Sequence, residues 1–208
     1  MTARHRGVFV TFEGVEGSGK TTLVEMSANA LERFQPLIVR EPGGTALGER
    51  VRELVLHTPG AIAPEAELYL FMTARAELIA ESIRPALESG RLVIADRYHD
   101  SSRAYQGGGR GVAVEWPAAF PKPDRTFLLA IDPAIGLKRR LGLGPAADRL
   151  ESEPPEFHRA VAAEYDRLAA QEPDRWVRLD ARRPLEALLE DVLAHVGPLL
   201  KEVSRSSS

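Results

Sequence analysis

Several residue types are missing or scarce in this chain of 208 residues, and each shortage removes a class of function. There is no cysteine, which excludes a disulfide framework, a thiolate metal site and a cysteine nucleophile. The five histidines are scattered without metal-ligand spacing, so we expect them to be ordinary surface or capping residues. No apolar run approaches the ~20 residues needed to span a bilayer, so no membrane partner is expected.

Neither acidic nor basic residues are in large excess. The chain has 27 basic and 30 acidic residues, mixed along its length, so it offers no basic field for nucleic acid. The short basic start, Met1 to Gly7, leads straight into a predicted strand, and we do not expect a signal peptide. The length suits a single domain over residues 1–208. We expect a soluble cytoplasmic protein with a frayed tail at about 203–208.

What is present is a glycine-rich loop between a strand and a helix. Residues 14–21 fill every fixed position of the phosphate-loop pattern G-x-x-x-x-G-K-[ST]. Backbone N–H groups and the helix N-terminus would hold a polyphosphate, Lys20 would reach its β- and γ-phosphates, and Thr21 would hold Mg²⁺. The predicted ATP-binding residues are Gly14, Val15, Glu16, Gly17, Ser18, Gly19, Lys20, Thr21 and Thr22.

Strand and helix signals alternate along the whole chain. This alternation predicts an α/β fold, a five-stranded parallel sheet with helices on both faces. The predicted strands are Val8–Phe12, Pro36–Arg40, Leu92–Asp96, Thr126–Asp132 and Trp176–Asp180. The predicted helices are Lys20–Phe34, one capped by Thr45 and ending near His57, Pro64–Ser89, Pro133–Leu141, one from Pro154 and Pro155 to Gln171, and one from Pro184. Gly107–Gly111 is expected to be a loop and Gly142–Pro155 a mobile segment.

Ligands of open α/β sheets bind at the carboxyl ends of the strands, where charged residues gather in this sequence. Asp96 ends an apolar strand, which suits a magnesium ligand, direct or through water, although Asp is also a common cap. Mechanical ATPases that carry a phosphate loop place a glutamate directly after this aspartate, to activate water, whereas this chain has Arg97. A second cation beside the phosphates indicates that a second anion is bound. A GTPase is disfavoured, because the only asparagine, Asn29, does not begin an Asn-Lys-x-Asp stretch.

A family resemblance is carried by motifs that follow one another over nearly the whole chain. They are Phe12–Thr22, Arg40–Thr45, Phe71–Arg75, Asp96–Tyr98, Ala104–Gly111, Pro123–Thr126, Gly136–Arg139 and Asp148–Glu151. The run Tyr105 to Gly109 is far rarer than the phosphate loop. Together these motifs resemble bacterial thymidylate kinase (dTMP kinase).

The resemblance implies a P-loop NTPase fold with a lid at about 140–155, a homodimer, and transfer of the γ-phosphoryl group of Mg·ATP to dTMP. The sequence itself offers only apolar helical surface for a dimer, around Leu68 to Ile83. The implied metal ligands are Thr21 and Asp96. The implied dTMP-binding residues are Glu16, Arg40, Glu41, Pro42, Phe71, Arg75, Arg97, Ser101, Tyr105 and Gln106.

Within that set the family gives particular roles to five residues. Glu16 would accept a hydrogen bond from the sugar 3′-hydroxyl, and Tyr105 would crowd the 2′ position. Phe71 would stack on thymine, and Arg75, one helical turn later, would donate to its O4. Arg97 would hold the phosphate of the monophosphate.

The implied catalytic residues are Lys20, Arg97, Arg139 and Arg149. Relatives without an arginine in the phosphate loop carry the catalytic arginine in the lid. This chain has few arginines in the middle of that lid, so which arginine acts stays open. The family also has a longer leucine-rich helix where this chain has only Val112–Phe120. Two alternatives remain: a kinase of another nucleoside monophosphate or a deoxynucleoside, and a non-catalytic ATP-binding switch.

Overall fold

The computed structural model describes residues 7–142 and 147–206, and its strands form one parallel sheet. The strands are β1 (Val8–Glu13), β2 (Leu37–Arg40), β3 (Leu92–Asp96), β4 (Arg125–Ala130) and β5 (Trp176–Asp180). The helices are α1 (Lys20–Ala30), α2 (Ala46–His57), α3 (Pro64–Leu78), α4 (Arg84–Glu88), α5 (His99–Ser102), α6 (Pro133–Leu141), α7 (Pro155–Gln171) and α8 (Leu185–Ser206). The strand order is β2-β3-β1-β4-β5 and every neighbouring pair is parallel, which confirms the predicted five-stranded parallel sheet.

Both faces of the sheet are buried under helices. Along β1, Val10 and Phe12 pack in the core with α1 and α8, whereas Phe9 points to the opposite core beneath α3 and α4. This two-sided burial explains why the central strands are continuous apolar runs rather than alternating ones.

The register of the sheet brings the functional stretches to one edge. Asp96 at the end of β3 is level with Phe12 of β1 and with Arg40 of β2. The residues that follow these strands therefore begin side by side: the phosphate loop, Glu41 and Arg97. The N-cap of α2 also forms as predicted, because the Thr45 hydroxyl accepts a hydrogen bond from the backbone N–H of Gly48.

The structure differs from the predicted elements at three places. The first helix ends at Ala30 and is followed by a short 3₁₀ turn, and the long helix from Pro64 is interrupted by a π-helical turn at Ile79–Ile83. The glycine run that we expected to be a loop lies mostly in a second π-helical segment, Arg103–Gly109. Close packing explains why glycines occupy this helical segment, because a side chain on Gly108 or Gly109 would collide with α7.

The C-terminal helix extends into the segment for which we expected a frayed tail. Helix α8 continues to Ser206, and Val203 packs against the core on the α1 side of the sheet. Within the described residues, no helix is long and apolar enough to cross a membrane. Of the segment expected to be a lid, residues 143–146 lie outside the described residues.

Two histidines are not the surface residues that we expected. His99 and His158 are both buried. The His99 ring packs edge-on against Trp116, with ring centroids 4.6 Å apart, and against Phe120. The short stretch 112–120 forms no helix, and Trp116 donates its indole N–H to the Phe120 carbonyl at 3.0 Å. This stretch thus covers the start of α5 without regular structure.

Candidate active site

A cavity of about 290 Å³ opens at the carboxyl edge of the sheet. It lies between the phosphate loop, the start of the β2–α2 connection, α3 and the β3–α5 connection. All ten residues that the family resemblance assigned to dTMP line this one cavity, although they come from six separate parts of the chain. What they bind stays a prediction.

The phosphate loop has the backbone that its sequence predicts. Gly14, Gly17 and Gly19 all have positive φ angles, 139°, 65° and 92°, which favour glycine. The Lys20 ammonium donates to the Val15 carbonyl at 2.8 Å and to the Ser18 hydroxyl at 3.3 Å. Burial, and then the nearby positive Arg97, lower the pKa of Lys20 to about 8 against the opposing carboxylates. The loop therefore holds its cation desolvated and ready for an anion.

Thr21 and Asp96 meet directly beneath this loop. The Thr21 hydroxyl donates to Asp96 Oδ2 at 2.6 Å, and Asp96 is nearly buried. A hydroxyl and a carboxylate side by side next to a phosphate cradle are the oxygen donors that Mg²⁺ accepts together with phosphate oxygens and water. The described residues contain no cluster of three or more acidic or histidine side chains that could hold a metal alone. The donor set thus fits a metal that arrives with a phosphate ligand.

Arg97 lines the cavity beside the phosphate loop. Its backbone has φ of 70°, a left-handed conformation that is uncommon for a residue with a side chain. Its Nη2 lies 3.1 Å from Glu16 Oε1, and its Nη1 donates to the Gly14 carbonyl at 3.1 Å. The guanidinium also lies over the Tyr105 ring, 5.1 Å from its centroid. The arginine is thereby oriented across the phosphate loop.

Glu16 is an ionised carboxylate within that loop. The Tyr105 hydroxyl donates to Glu16 Oε1 at 2.5 Å. Burial acts to raise the pKa of Glu16, but the charges of Arg97 and Lys20 and the tyrosine hydrogen bond outweigh it and lower the pKa. Its second oxygen, Oε2, is buried without a hydrogen-bond partner. One acceptor is thus left over beside the cavity.

Arg75 has no free donor. Its Nε and Nη2 both contact Glu41 Oε2, at 2.7 and 2.6 Å, and Nη2 also donates to the Tyr98 carbonyl. Its Nη1 donates to the Ser102 hydroxyl at 2.9 Å and faces His99 Nδ1 at 3.4 Å. The sequence alone suggests a surface arginine here, whereas the side chain is 1 % exposed.

The neutral state of His99 makes this last contact possible. Burial, and then the charge of Arg75, lower the pKa of His99 to about 2. Because an arginine can only donate, Nδ1 of the neutral ring accepts and the Nε2 proton goes to the Glu115 carbonyl at 2.9 Å. Sequence reasoning missed His99, since nothing local marks a buried histidine.

The remaining lining residues differ in how tightly they are held. Arg40 is at the rim, with 57 % of its side chain exposed and a 3.6 Å contact to Glu49. Gln106 is buried and donates to Glu67 Oε1 at 2.8 Å. Phe71 packs in the core on the cavity side of the sheet. The cavity therefore has one polar exposed mouth and a fixed interior.

Three arginines in or beside the predicted lid, Arg139, Arg140 and Arg149, point in different directions. Arg139 donates to the Ala181 carbonyl at 3.2 Å, and Arg149 donates to the Val55 carbonyl at 2.8 Å. Neither is among the residues of 7–142 and 147–206 that line the cavity. Arg140, a basic residue of the predicted lid that was not among the implied catalytic residues, does line it and pairs with Glu151 at 2.7 Å.

Comparisons with known proteins agree with this geometry. The family model described as Thymidylate kinase matches residues 12–192. A thymidylate kinase of Halothermothrix orenii is 43 % identical over 94 % of this chain and all of its own length, and one of Bifidobacterium longum is 48 % identical over 88 % of this chain and 93 % of its own.

A solved structure of similar shape leads to the same family. The crystal structure of thymidylate kinase from Ehrlichia chaffeensis superposes with a TM-score of 0.74 at 28 % identity, covering 92 % of this chain and 98 % of the other. The predicted P-loop NTPase fold is confirmed by this likeness together with the five-stranded parallel sheet. The chain belongs to the thymidylate kinase family.

Proposed function

We propose that the protein transfers the γ-phosphoryl group of ATP to the 5′-phosphate of dTMP, giving dTDP and ADP. The observation that carries this proposal is one cavity lined both by phosphate-loop residues, among them Lys20, and by a separate arginine, Arg97, together with Phe71 and Arg75. One phosphate site would serve a nucleotide switch equally well, whereas a cation on each side suits two anionic nucleotides placed head to head.

At the donor end, the loop N–H groups and Lys20 would hold the β- and γ-phosphates of ATP. Thr21 and Asp96 would hold Mg²⁺, which neutralises developing charge on the phosphates when bound. Oxygen of the dTMP phosphate attacks the γ-phosphorus while the bond to the β-bridging oxygen breaks, and ADP leaves with that electron pair. The attacking oxygen is already ionised, so the protein has to align and neutralise rather than remove a proton.

At the acceptor end, Arg97 would hold the phosphate of dTMP. Glu16 has a buried acceptor to spare for the sugar 3′-hydroxyl, and the Tyr105 ring beside it would limit space at the 2′ position. Phe71 would meet the base through its ring. Arg75 would form a fixed wall beside the base, because its N–H groups are already bonded within the protein and none is left for the implied hydrogen bond to O4. Deoxyribose and thymine would thus be selected by separate walls of the cavity.

The contacts favour Arg140 as the arginine that reaches the transferring group from the lid. Its helix α6 lies against the phosphate loop. Gly17 and Gly136 approach so closely that neither position has room for a side chain. An arginine of this kind stabilises charge on the transferring group and is worth on the order of 10³-fold or more in rate. Arg140→Ala should therefore lower kcat about a thousandfold, and Arg139→Ala, from the same helix, serves as the matched control.

The test is ADP release with Mg·ATP and a panel of dTMP, dUMP, dGMP, AMP and thymidine. We expect dTMP to be turned over best, and Lys20→Ala or Arg97→Ala to abolish turnover without unfolding the chain. ATP binding with no acceptor-dependent ADP release would instead support a non-catalytic switch. Turnover that prefers another acceptor would support the other kinase alternative.

The homodimer, the single domain and the cytoplasmic location remain proposals. Leu68 and Ile83, which the sequence offered as dimer surface, are buried within this chain. Helices α2 and α3 instead expose Leu47, Leu54 and Tyr69, and we propose that these cover one another in a dimer. Light scattering of the wild type and of Tyr69→Glu tests this, because the variant should shift the mass toward that of one chain.

A further inference from the structure

Glu13 is a buried carboxylate next to the site that the proposed reaction does not use. It ends β1, directly before the phosphate loop, and it is fully buried and not among the described residues that line the cavity. Its Oε1 accepts the backbone N–H of Tyr98 at 2.8 Å. Its Oε2 accepts the Ser101 hydroxyl at 2.6 Å and the Tyr165 hydroxyl at 2.9 Å. One side chain thus joins β1, the start of α5 and α7.

The two hydroxyls connect Glu13 to Arg97. Arg97 Nη1 lies 3.3 Å from the Ser101 oxygen and 3.4 Å from the Tyr165 oxygen. The Ser101 and Tyr165 oxygens are also 2.9 Å apart, but each hydroxyl has only one proton and an ionised carboxylate can only accept. We therefore assign both hydroxyl protons to Glu13 Oε2, which turns a lone pair of each hydroxyl toward the guanidinium. The carboxylate therefore sets the polarity of the groups that hold Arg97.

We propose that Glu13 is a positioning residue that fixes the Arg97 guanidinium for the acceptor phosphate, acting through the hydroxyls of Ser101 and Tyr165. This rests on the proposed function, in which Arg97 holds the phosphate of dTMP. Glu13 itself touches no substrate. It also compensates for the strained backbone of Arg97, since its Oε1 holds the next residue, Tyr98, in place.

The groups around Glu13 make its positioning of Arg97 sensitive to protonation of the carboxylate. Burial, and then the facing Asp100 of α5, raise the pKa of Glu13 to about 7, against Ser101, Arg97 and Tyr165. Lys20 of α1 is a further cation within reach of its charge. A protonated Glu13 would donate to a hydroxyl and reverse its polarity, leaving that hydroxyl no longer set toward Arg97.

The test compares Glu13→Gln with Thr11→Val. Glutamine keeps the shape, but its amide nitrogen cannot accept the hydroxyl protons. Thr11 is the matched control, because it lies on the same strand and face, is buried, and loses only a 2.9 Å hydrogen bond to Thr126 that does not reach Arg97. We expect Glu13→Gln to raise KM for dTMP about tenfold or more while KM for ATP stays within about twofold. Thr11→Val should leave both constants unchanged.

Two further readouts separate positioning from mere stability. The wild-type kcat/KM for dTMP should rise with pH through about 7, whereas Glu13→Gln should retain only the rise from ionisation of the substrate phosphate, whose second pKa is about 6. Tyr165→Phe removes one of the two hydroxyls that join Glu13 to Arg97. In the double variant it should add little to the increase in KM for dTMP caused by Glu13→Gln. Glu13→Gln kinetics equal to those of Thr11→Val, or additive effects of the two variants, would overturn the proposal.

A crystal structure of each ligand-free variant gives a result that does not depend on the reaction. The Arg97 guanidinium should move away from Gly14 in Glu13→Gln and stay in Thr11→Val. If the wild type fails to phosphorylate dTMP, the proposed function falls, and the position of Arg97 still decides the role of Glu13. An unmoved Arg97 in Glu13→Gln rejects that role even in an active enzyme.

Discussion

Glu67 joins the segment after α6 to the body of the protein, and removing its charge should be costly. This residue of α3 is completely buried and accepts from Gln106 and from Arg110 Nη2, at 2.8 and 3.2 Å. Arg149 Nη2 lies 2.6 Å from Oε2, the same Glu67 oxygen that accepts from Arg110 Nη2. Burial acts to raise the pKa of Glu67, but the hydrogen bonds from Gln106, Arg110 and Arg149 outweigh it and lower the pKa. The carboxylate is therefore held ionised.

Glu67→Gln leaves Arg149 in the interior without its carboxylate. Breaking a buried ion pair from one side costs about 3–5 kcal/mol in the free energy of unfolding. At about 2–4 °C per kcal/mol for a chain of this size, the melting temperature should fall by roughly 6–20 °C. Urea unfolding at pH 7.5, followed by circular dichroism, measures the free energy directly.

The matched control is Glu153→Gln. Glu153 pairs with Arg110 at 2.6 Å on the outer side, where 21 % of its side chain is exposed. A partly exposed pair contributes about 1 kcal/mol or less. Equal losses for Glu67→Gln and Glu153→Gln would refute the reasoning, because burial would then make no difference to these ion pairs.

Three more outcomes follow from local geometry. Gly17→Ala should abolish turnover while the chain still folds, because a Cβ there collides with Gly136 and the φ of 65° disfavours alanine; ADP release and circular dichroism check both parts. Thr45→Ala should lower the free energy of unfolding by about 1 kcal/mol, since it removes the N-cap of α2, and urea unfolding measures it. Glu13 has a pKa raised from 4.5 to about 7, so its stabilising contribution is present below pH 4.5 and is lost as the pH rises through 7. Between pH 5 and pH 8.5 the wild type should therefore lose about 2 to 3 kcal/mol relative to Glu13→Gln, and parallel stability curves would contradict this.

Local patterns were sufficient for the sheet and the phosphate loop. Apolar strands, glycine spacing and the Thr45 cap depend on neighbours in sequence. Most predicted helix starts and ends match the structure to within one residue, among them His57, Leu141, Pro155 and Gln171. The order of strands brought the ten expected lining residues together, because the carboxyl ends of parallel strands share an edge.

Long-range pairing was not visible in the sequence. Arg75 is buried only because Glu41, 34 residues away, neutralises it, and His99 is buried only because Arg75 and a covering stretch surround it. Glu13 lay just outside the predicted strand Val8–Phe12 and nothing local marked it, yet its partners lie 85 to 152 residues further on. The three successive glycines are typical of a loop, and only the close approach of α7 makes them helical. Such side chains are positioned by partners that periodicity does not report.

The saturated hydrogen bonding of Arg75 has a thermodynamic consequence for whatever enters the cavity. An arginine side chain carries about 2 kcal/mol of rotamer entropy, which a mobile arginine would lose when it orders around a ligand. Here Glu41, Tyr98 and Ser102 have already removed that freedom during folding. A ligand that fits this wall thus meets a rigid surface and is selected by shape, and one that does not fit finds no freedom in Arg75 to adapt to it.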